Sequence, residues 1–211
     1  MKAESEQSET DTRSVAISNC YLINASAVMS LNVLRLLEEK GMSQSDFQNL
    51  FGGISGSHQA ALENFGKMTR LGYIVLFQFQ IENMLKTILK ALGKSGRATE
   101  GFYNVAKSLL DAITLADLNT KLDLLYLPAL IRNSLHSNGI HRLESKRIEY
   151  DGLVFEFIKD APVRCAAWDH MHHALNASLN VVDEILKATQ VKALPDPTPD
   201  QFVSEEAQSR N

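Results

Sequence analysis

The longest uninterrupted helical pattern in the chain lies between Ser57 and Leu92. Apolar residues recur there at intervals of three or four over about five turns, at Ile74, Phe77, Ile81, Leu85, Ile88 and Leu92. That spacing places all of these side chains on one face of an α-helix. Gly93 follows at once, and glycine commonly ends helices. The pattern therefore predicts one long helix over 57–92 whose apolar face other elements must cover.

The same periodicity, together with capping residues and glycines, predicts most of the remaining elements. It gives helices over about 14–40, 43–51, 100–113, 117–138 and 164–190. Pro128 is expected to interrupt the fourth of these, because proline is tolerated mainly in the first turn of a helix. One segment instead alternates like a β-hairpin, with strands over 147–150 and 153–158 around the turn Asp151-Gly152. The predicted fold class is mainly α, a helical bundle with a small β-hairpin inserted before the last helix.

The two ends of the chain differ from its middle in composition. Residues 1–13 and 191–211 each contain two basic and four acidic residues, so each end carries −2 of the net charge of −4. The sequence therefore predicts a disordered tail over 1–13, one folded domain over 14–193 and a disordered acidic tail over 194–211. Cys20 and Cys165 are the only cysteines, too few for a disulfide framework, and the first residues lack the apolar core of a signal peptide. We expect a cytoplasmic protein.

Residues 14–34 carry no charge and need a test as a membrane span. Asn19, Asn24 and Asn32 argue against one, because amides are costly in the hydrocarbon core. The prediction is a buried core helix without membrane contact. Its inward rows would be Ile17, Tyr21, Val28 and Leu31, and Ile23, Ala27, Leu34 and Leu37.

The most distinctive cluster is Arg132-Asn133-Ser134-Leu135-His136. On a helix, Leu127, Ile131 and Leu135 form a core stripe, since residues four apart share a face. Arg132 and His136 each follow a core residue by one position, so they form a second stripe about 100° away. We therefore expect both side chains at the edge of the buried face, where a ligand or a second subunit can reach them.

A helical bundle that carries Arg-Asn-x-x-His-x-x-Gly before its last helix resembles the HEPN superfamily, whose active members are metal-independent ribonucleases. The resemblance covers roughly residues 57–190. It implies a homodimer with a composite RNA-cleaving site and no cofactor, in a toxin or defence setting where an antitoxin protein could be a partner. Arg132 would bind phosphate, Asn133 would be the polar residue beside it, and His136 would be the general acid/base.

The chain departs from the family's motif in one respect. Only three residues separate Arg132 from His136, which is closer than the family's usual spacing. Arg164 and His170 have the usual spacing, but one such match is expected by chance. A non-catalytic dimerisation or interaction module therefore stays open as the alternative function.

Other polar residues are candidates for supporting roles. Glu82 would form an i,i+4 pair with Lys86, or else orient Arg132 across the bundle, and His141 would support the site. The basic stripe Lys86, Lys90 and Lys94, continued by Arg97, could contact an RNA backbone or simply suit a helix C-terminus. Asp169 and His173 share a helical face but lack further ligands, so no metal site is expected.

Overall fold

The structure is a computed structural model, and it describes residues 10–39, 43–52, 57–94, 101–196 and 198. Seven helices occur in these ranges: α1 (Thr12–Glu39), α2 (Gln44–Phe51), α3 (His58–Ala91), α4 (Phe102–Ile113), α5 (Leu118–His136), α6 (Trp168–Lys187) and α7 (Thr189–Lys192). Strands β1 (Lys146–Tyr150) and β2 (Leu153–Phe157) lie between α5 and α6. The mainly α bundle with a small hairpin before its last helices is thus confirmed.

Helices α1 and α3 run antiparallel along each other. The Tyr73 hydroxyl donates to Asn24 Oδ1 at 2.8 Å, and the Asn19 amide donates to Gln80 Oε1 at 3.1 Å. These contacts fix a register in which residue numbers increase on α1 as they decrease on α3. Ser43 caps α2 by accepting from the Asp46 amide at 3.1 Å. The side-chain oxygen of Ser57 accepts from the Ala60 amide and caps α3 in the same manner.

The C-terminal half of α3 lies at the centre of the hydrophobic core. The predicted row is buried there, with Ile74, Ile81, Leu85 and Ile88 at no more than 1% exposure. Helix α4 packs against α3 and α5, and α5 packs in turn against α6. Helix α5 is continuous through Pro128, contrary to the expected interruption. Pro128 is buried in this layer, and the packing of its neighbours holds together a turn that has lost one backbone hydrogen bond.

The hairpin has the register that its turn predicts. Ile148 pairs with Phe155 and Tyr150 with Leu153, and the turn residues Asp151 and Gly152 have φ of 50° and 76°. Two positive φ values in succession give the turn type whose twist matches paired strands. Ile148, Phe155 and Phe157 point into the core. The hairpin therefore closes one side of the bundle near the end of α5.

The prediction that α1 is a buried core helix is wrong over most of its length. Only Thr12, Arg13, Ala16, Cys20 and Ala27 are buried, whereas Ile17, Tyr21 and Val28 are exposed. Helix α1 has apolar residues around much of its circumference, and α3 covers only one side. Within the described residues, α1 is also the one helix long and apolar enough to cross a membrane by length and composition, a test that buried core helices pass too.

The two predicted tails, 1–13 and 194–211, extend too far into the folded part of the chain. Asp11, Thr12 and Arg13 are buried, and Thr198 is 5% exposed. Asp11 and Arg13 form an ion pair at 2.6 Å, and Asp11 also accepts from the Thr198 amide at 2.7 Å. The two ends of the folded part are therefore joined. Residues 1–9, 197 and 199–211, which the tail predictions also cover, lie outside the described residues.

Candidate functional site

The end of α5 and the turn after it build the candidate site. Asn138 and Gly139 have φ of 56° and 80°, and the Gly139 amide donates to the Ser134 carbonyl at 2.9 Å. This left-handed ending reverses the chain across the last turn of α5. The His141 amide then donates to the Ala161 carbonyl at 3.0 Å, and the Asp160 amide donates to the His141 carbonyl at 2.7 Å. The segment after the helix is thereby fixed beside it.

A pocket of about 490 Å³ opens at this point. It is lined by Val75, Arg132, Asn133, His136, Ser137, His141, Arg142 and Leu143. The expectation that Arg132 and His136 face a groove at the edge of the core is confirmed, with Arg132 half-buried and His136 exposed. Among the described residues that line the pocket, none carries a carboxylate. Arg142 is ion-paired with Asp160, which is not a lining residue, whereas the only side-chain partner of Arg132 within the described residues is the neutral Asn133, so Arg132 is the cation that favours an anionic ligand here.

The chain has no match in any of three comparisons: none among protein-family models, none among curated proteins and none among solved structures. The chemistry of the pocket therefore has to be read from its own residues.

Arg132 and Asn133 are neighbours in sequence and partners in space. Arg132 donates from Nε and Nη2 to Asn133 Oδ1 at 3.2 and 3.0 Å. A guanidinium has five N–H groups, so this arrangement holds its plane while leaving three donors for a ligand. Asn133 thus positions the cation without neutralising it.

The two histidines of the pocket differ in environment. His136 is exposed on the last turn of α5. His141 is 1% exposed, its Nδ1 lies 3.2 Å from Ser134 Oγ, its Nε2 lies 3.1 Å from the Glu144 carbonyl, and its ring packs 5.2 Å from that of Phe157. A carbonyl only accepts, so Nε2 is the donor. Both nitrogens of His141 are thus engaged, and His136 is the histidine that a ligand can reach.

Arg142 and Val75 line the pocket but were not among the residues singled out from the sequence. Arg142 pairs with Asp160 at 2.9 Å, and both side chains are exposed. The Asn138-Gly139 turn was the available signal for Arg142, because it folds the following residues back over the helix end. Val75 lines the pocket because α3 packs beside α5. A local sequence pattern does not show which helices pack together.

Glu82 and the basic stripe lie on α3, further along the helix from Val75. Glu82 accepts from Lys86 Nζ at 2.7 Å, which is the i,i+4 pair expected of it, whereas Arg132 bonds to Asn133. Lys86 and Lys90 follow Val75 by 11 and 15 residues, so they share its face about 16 and 22 Å along the axis. Lys94 lies beyond the helix end and is exposed, and Arg97 lies outside the described residues.

Arg132 also acts on a neighbouring aromatic residue of α5. Burial raises the pKa of Tyr126, and the positive charge of Arg132 acts in the opposite direction. The Tyr126 ring meets that of Tyr103 edge-on at 5.2 Å. The positive charge of Arg132 therefore also acts on Tyr126, which lies on α5 and contacts Tyr103 of α4.

Cysteine chemistry does not fit this protein. Burial raises the pKa of Cys20 to about 12 and that of Cys165 to about 11, so neither thiol ionises near neutral pH.

The acidic and histidine residues at the start of α6 do not form a metal site. His173 Nδ1 lies 3.3 Å from Asp151 and its Nε2 lies 3.7 Å from Asp169. Within the described ranges, no group of three or more His, Cys, Asp or Glu side chains is arranged to hold a metal ion.

Proposed function

We propose that this chain cleaves single-stranded RNA without a metal ion, as a HEPN-like ribonuclease, at the pocket formed by the end of α5. The observation that carries the proposal is the joint placement of Arg132, Arg142 and the exposed His136 around one pocket whose described lining residues include no acid. Metal-independent cleavage of RNA needs a base for the 2′-hydroxyl and a cation for the charge that develops at phosphorus, and a reachable imidazole and guanidinium groups can supply these two functions.

The chemistry assigns one step to each group. His136 accepts the proton of the ribose 2′-hydroxyl, and the 2′ oxygen bonds to phosphorus as the bond from phosphorus to the 5′ oxygen breaks. Arg132 and Arg142 stabilise the negative charge that builds on the phosphoryl oxygens. The departing 5′ oxygen takes a proton from water, and the resulting hydroxide removes the proton from His136. The products are a 2′,3′-cyclic phosphate and a 5′-hydroxyl end.

The basic residues of α3 support the binding of a longer strand. Lys86 and Lys90 share the face of Val75, so a strand that leaves the pocket along α3 would meet their charges.

The remaining parts of the proposal come from the resemblance alone. They are a homodimer, a toxin or defence setting, and a cognate antitoxin as partner, whereas the cytoplasmic location is proposed from the low cysteine content.

The test uses the purified full chain, a labelled single-stranded RNA and EDTA. We expect cleavage that His136→Ala and Arg132→Ala each reduce by about 10²–10⁴-fold. His172→Ala, at an exposed histidine of α6, and Arg147→Ala, at an exposed arginine of β1, are the matched controls and should retain wild-type rates. The DNA of the same sequence, which lacks the 2′-hydroxyl, should stay intact.

Equal cleavage by the wild type and both pocket variants would identify a contaminating nuclease and refute the proposal. A chain that neither cuts nor binds RNA would favour the second candidate, a non-catalytic interaction module. The specific observation behind that candidate is the exposed apolar surface of α1 and α3.

A further inference from the structure

Another pocket, of about 440 Å³, lies between β2 and the segment that leads into α6. Its lining residues are Val154, Glu156, Ile158, Ala161, Pro162, Arg164, Cys165 and His170. The volume falls within the roughly 300–1,000 Å³ of small-molecule sites. This pocket, which we call the hairpin pocket, shares no lining residue with the candidate site at the end of α5. A ligand bound here would therefore be held by different groups.

Two buried side chains build the hairpin pocket. Cys165 Sγ donates to the Glu156 carbonyl at 3.7 Å, which holds the residue after Arg164 beside the middle of β2. The ring of Phe155 meets that of His170 edge-on, with 5.5 Å between the ring centroids. Both Cys165 and Phe155 are at most 2% exposed. They thus fix the frame around which Glu156, Arg164 and His170 are arranged.

The two charged residues of the hairpin pocket do not pair with each other. Neither Glu156 nor Arg164 forms an ion pair within the described residues, and both are exposed. Arg147, which lies opposite Glu156 on β1, pairs instead with Glu149 at 2.7 Å. A guanidinium binds a carboxylate through two parallel hydrogen bonds, and a carboxylate accepts from an ammonium group. A ligand that carries both of these groups can therefore bridge Arg164 and Glu156.

His170 adds a hydrogen-bonding group to the same pocket. Its Nδ1 is shielded from solvent and has no hydrogen-bond partner within the described residues. Leaving a buried polar nitrogen without a partner is unfavourable. The terminal torsion of a histidine side chain is broad, so the ring can turn this nitrogen toward the pocket. An ammonium group between His170 and Glu156 would then donate to both.

We propose that the hairpin pocket binds a free α-amino acid with an apolar side chain. Arg164 holds the carboxylate of the ligand, and Glu156 and His170 hold its ammonium group. The side chain of the ligand packs on Val154 and Ile158, which flank Glu156 on the outer face of β2 and are 39% and 52% exposed. Binding covers both of these apolar side chains.

Glu156 is what selects this ligand over an anion. Arg164 and His170 without it would suit a phosphate, but the carboxylate beside them repels a phosphodiester. The described lining of the pocket at the end of α5 contains no acid, so the two pockets differ in the charge they favour. A simple amine, in turn, would leave Arg164 without a counter-charge. Only a ligand with both charges matches both residues.

The test is the binding of L-leucine to the full chain, measured by isothermal titration calorimetry beside two analogues. Isocaproate is leucine without its ammonium group, and isoamylamine is leucine without its carboxylate. We expect each analogue to bind at least about 10-fold more weakly than leucine, because each lacks one charged hydrogen-bonding group. Isocaproate that binds as tightly as leucine would show a general anion site and overturn the proposal. Isoamylamine that binds as tightly would overturn it as well.

Three variants assign the two ends of the ligand. Arg164→Gln should weaken leucine binding about 10-fold and leave isoamylamine binding unchanged. Glu156→Gln should weaken leucine binding about as much, while isocaproate binds no more weakly than before. His170→Phe keeps a ring against Phe155 and removes the nitrogen, so it should weaken both leucine and isoamylamine.

Arg35→Gln and Glu63→Gln change exposed residues of α1 and α3 that do not line the hairpin pocket, so both should bind leucine as the wild type does. Melting temperatures equal to that of the wild type show that Arg164→Gln and Glu156→Gln fold normally. Leucine that fails to bind the wild type at millimolar concentration overturns the proposal. Unchanged leucine binding in both Arg164→Gln and Glu156→Gln overturns it too. None of these readouts depends on RNA cleavage.

Discussion

Arg132 reaches along its own helix and donates two hydrogen bonds to Oδ1 of Asn133, at 3.2 and 3.0 Å. The amide oxygen is neutral, so it fixes the direction of the guanidinium and preserves its charge. Asn133→Asp would keep the acceptor and add a negative charge beside the pocket. We expect it to weaken binding of single-stranded RNA by about 10-fold, near the value of one charged hydrogen bond.

Asn133→Ala is the informative companion to that change, because it removes the acceptor and adds no charge. Its effect on RNA affinity should be smaller, about 3-fold, since Arg132 keeps its charge and loses only its orientation. Fluorescence anisotropy with a labelled RNA compares the two variants. Equal affinities for Asn133→Asp and Asn133→Ala would show that Arg132 does not contact the phosphate.

The pair Glu82 and Lys86 gives a test of the basic stripe. Glu82 holds Lys86 Nζ at 2.7 Å, and Glu82→Gln removes the acid without changing the shape of the helix. If RNA runs along α3, Lys86 becomes available to a phosphate. Affinity should then rise about 3-fold, and the slope of log K against log salt should steepen by about 0.7. Glu63→Gln, at an exposed acid near the start of α3, is the control and should leave the slope unchanged.

His136 and His141 line one pocket but should respond differently to substitution. His141 is buried, bonded at both ring nitrogens and packed on Phe157. His141→Ala leaves a cavity and unpaired polar groups, so the free energy of unfolding in urea should drop by about 3 kcal/mol. His136→Ala, at an exposed position, should change it by less than about 0.5 kcal/mol. A comparable loss of stability in both variants would contradict this division of roles.

The elements that could be predicted are those that local chemistry determines. The apolar row of α3 and the Asp151-Gly152 turn each contain their own signal, and the stripe of Arg132 and His136 follows from helical geometry alone. The burial of α1 could not be predicted, because periodicity shows that a face is apolar but not which face a neighbour covers. The position of Val75 beside Arg132 depends on how α3 packs near α5, for the same reason. Whether Arg132 and His136 catalyse a reaction stays a prediction.

The join between the two ends of the folded part escaped prediction for a further reason. Asp11 and Arg13 are two residues apart, and their other partners, Val191, Pro195 and Thr198, lie at the opposite end of the chain. A short polar segment at a terminus has the composition of a disordered tail. Only the tertiary contact shows that its charges are paired and buried.

This join should make the protein sensitive to acid in a defined manner. Burial acts to raise the pKa of Asp11, but hydrogen bonds from the Arg13 side chain and the Thr198 amide outweigh it and hold the pKa below 3.8. A carboxyl group whose pKa is lowered by folding stabilises the folded state fully above its unfolded value. That contribution is lost as the pH falls through the lower, folded value.

Asp11→Asn should therefore lower the free energy of unfolding at pH 7 by about 3 kcal/mol, because it leaves Arg13 buried without its counter-charge. The gap between the wild type and Asp11→Asn should stay constant from pH 7 to about pH 5 and narrow below about pH 4. Replacing both partners, in Asp11→Asn/Arg13→Met, should cost less than the sum of the two single changes, since no unpaired charge remains buried. Urea unfolding of the wild type, Asp11→Asn, Arg13→Met and the double variant across this pH range measures each quantity. Additive losses, or a gap that does not narrow in acid, would show that the ion pair is not what joins the two ends.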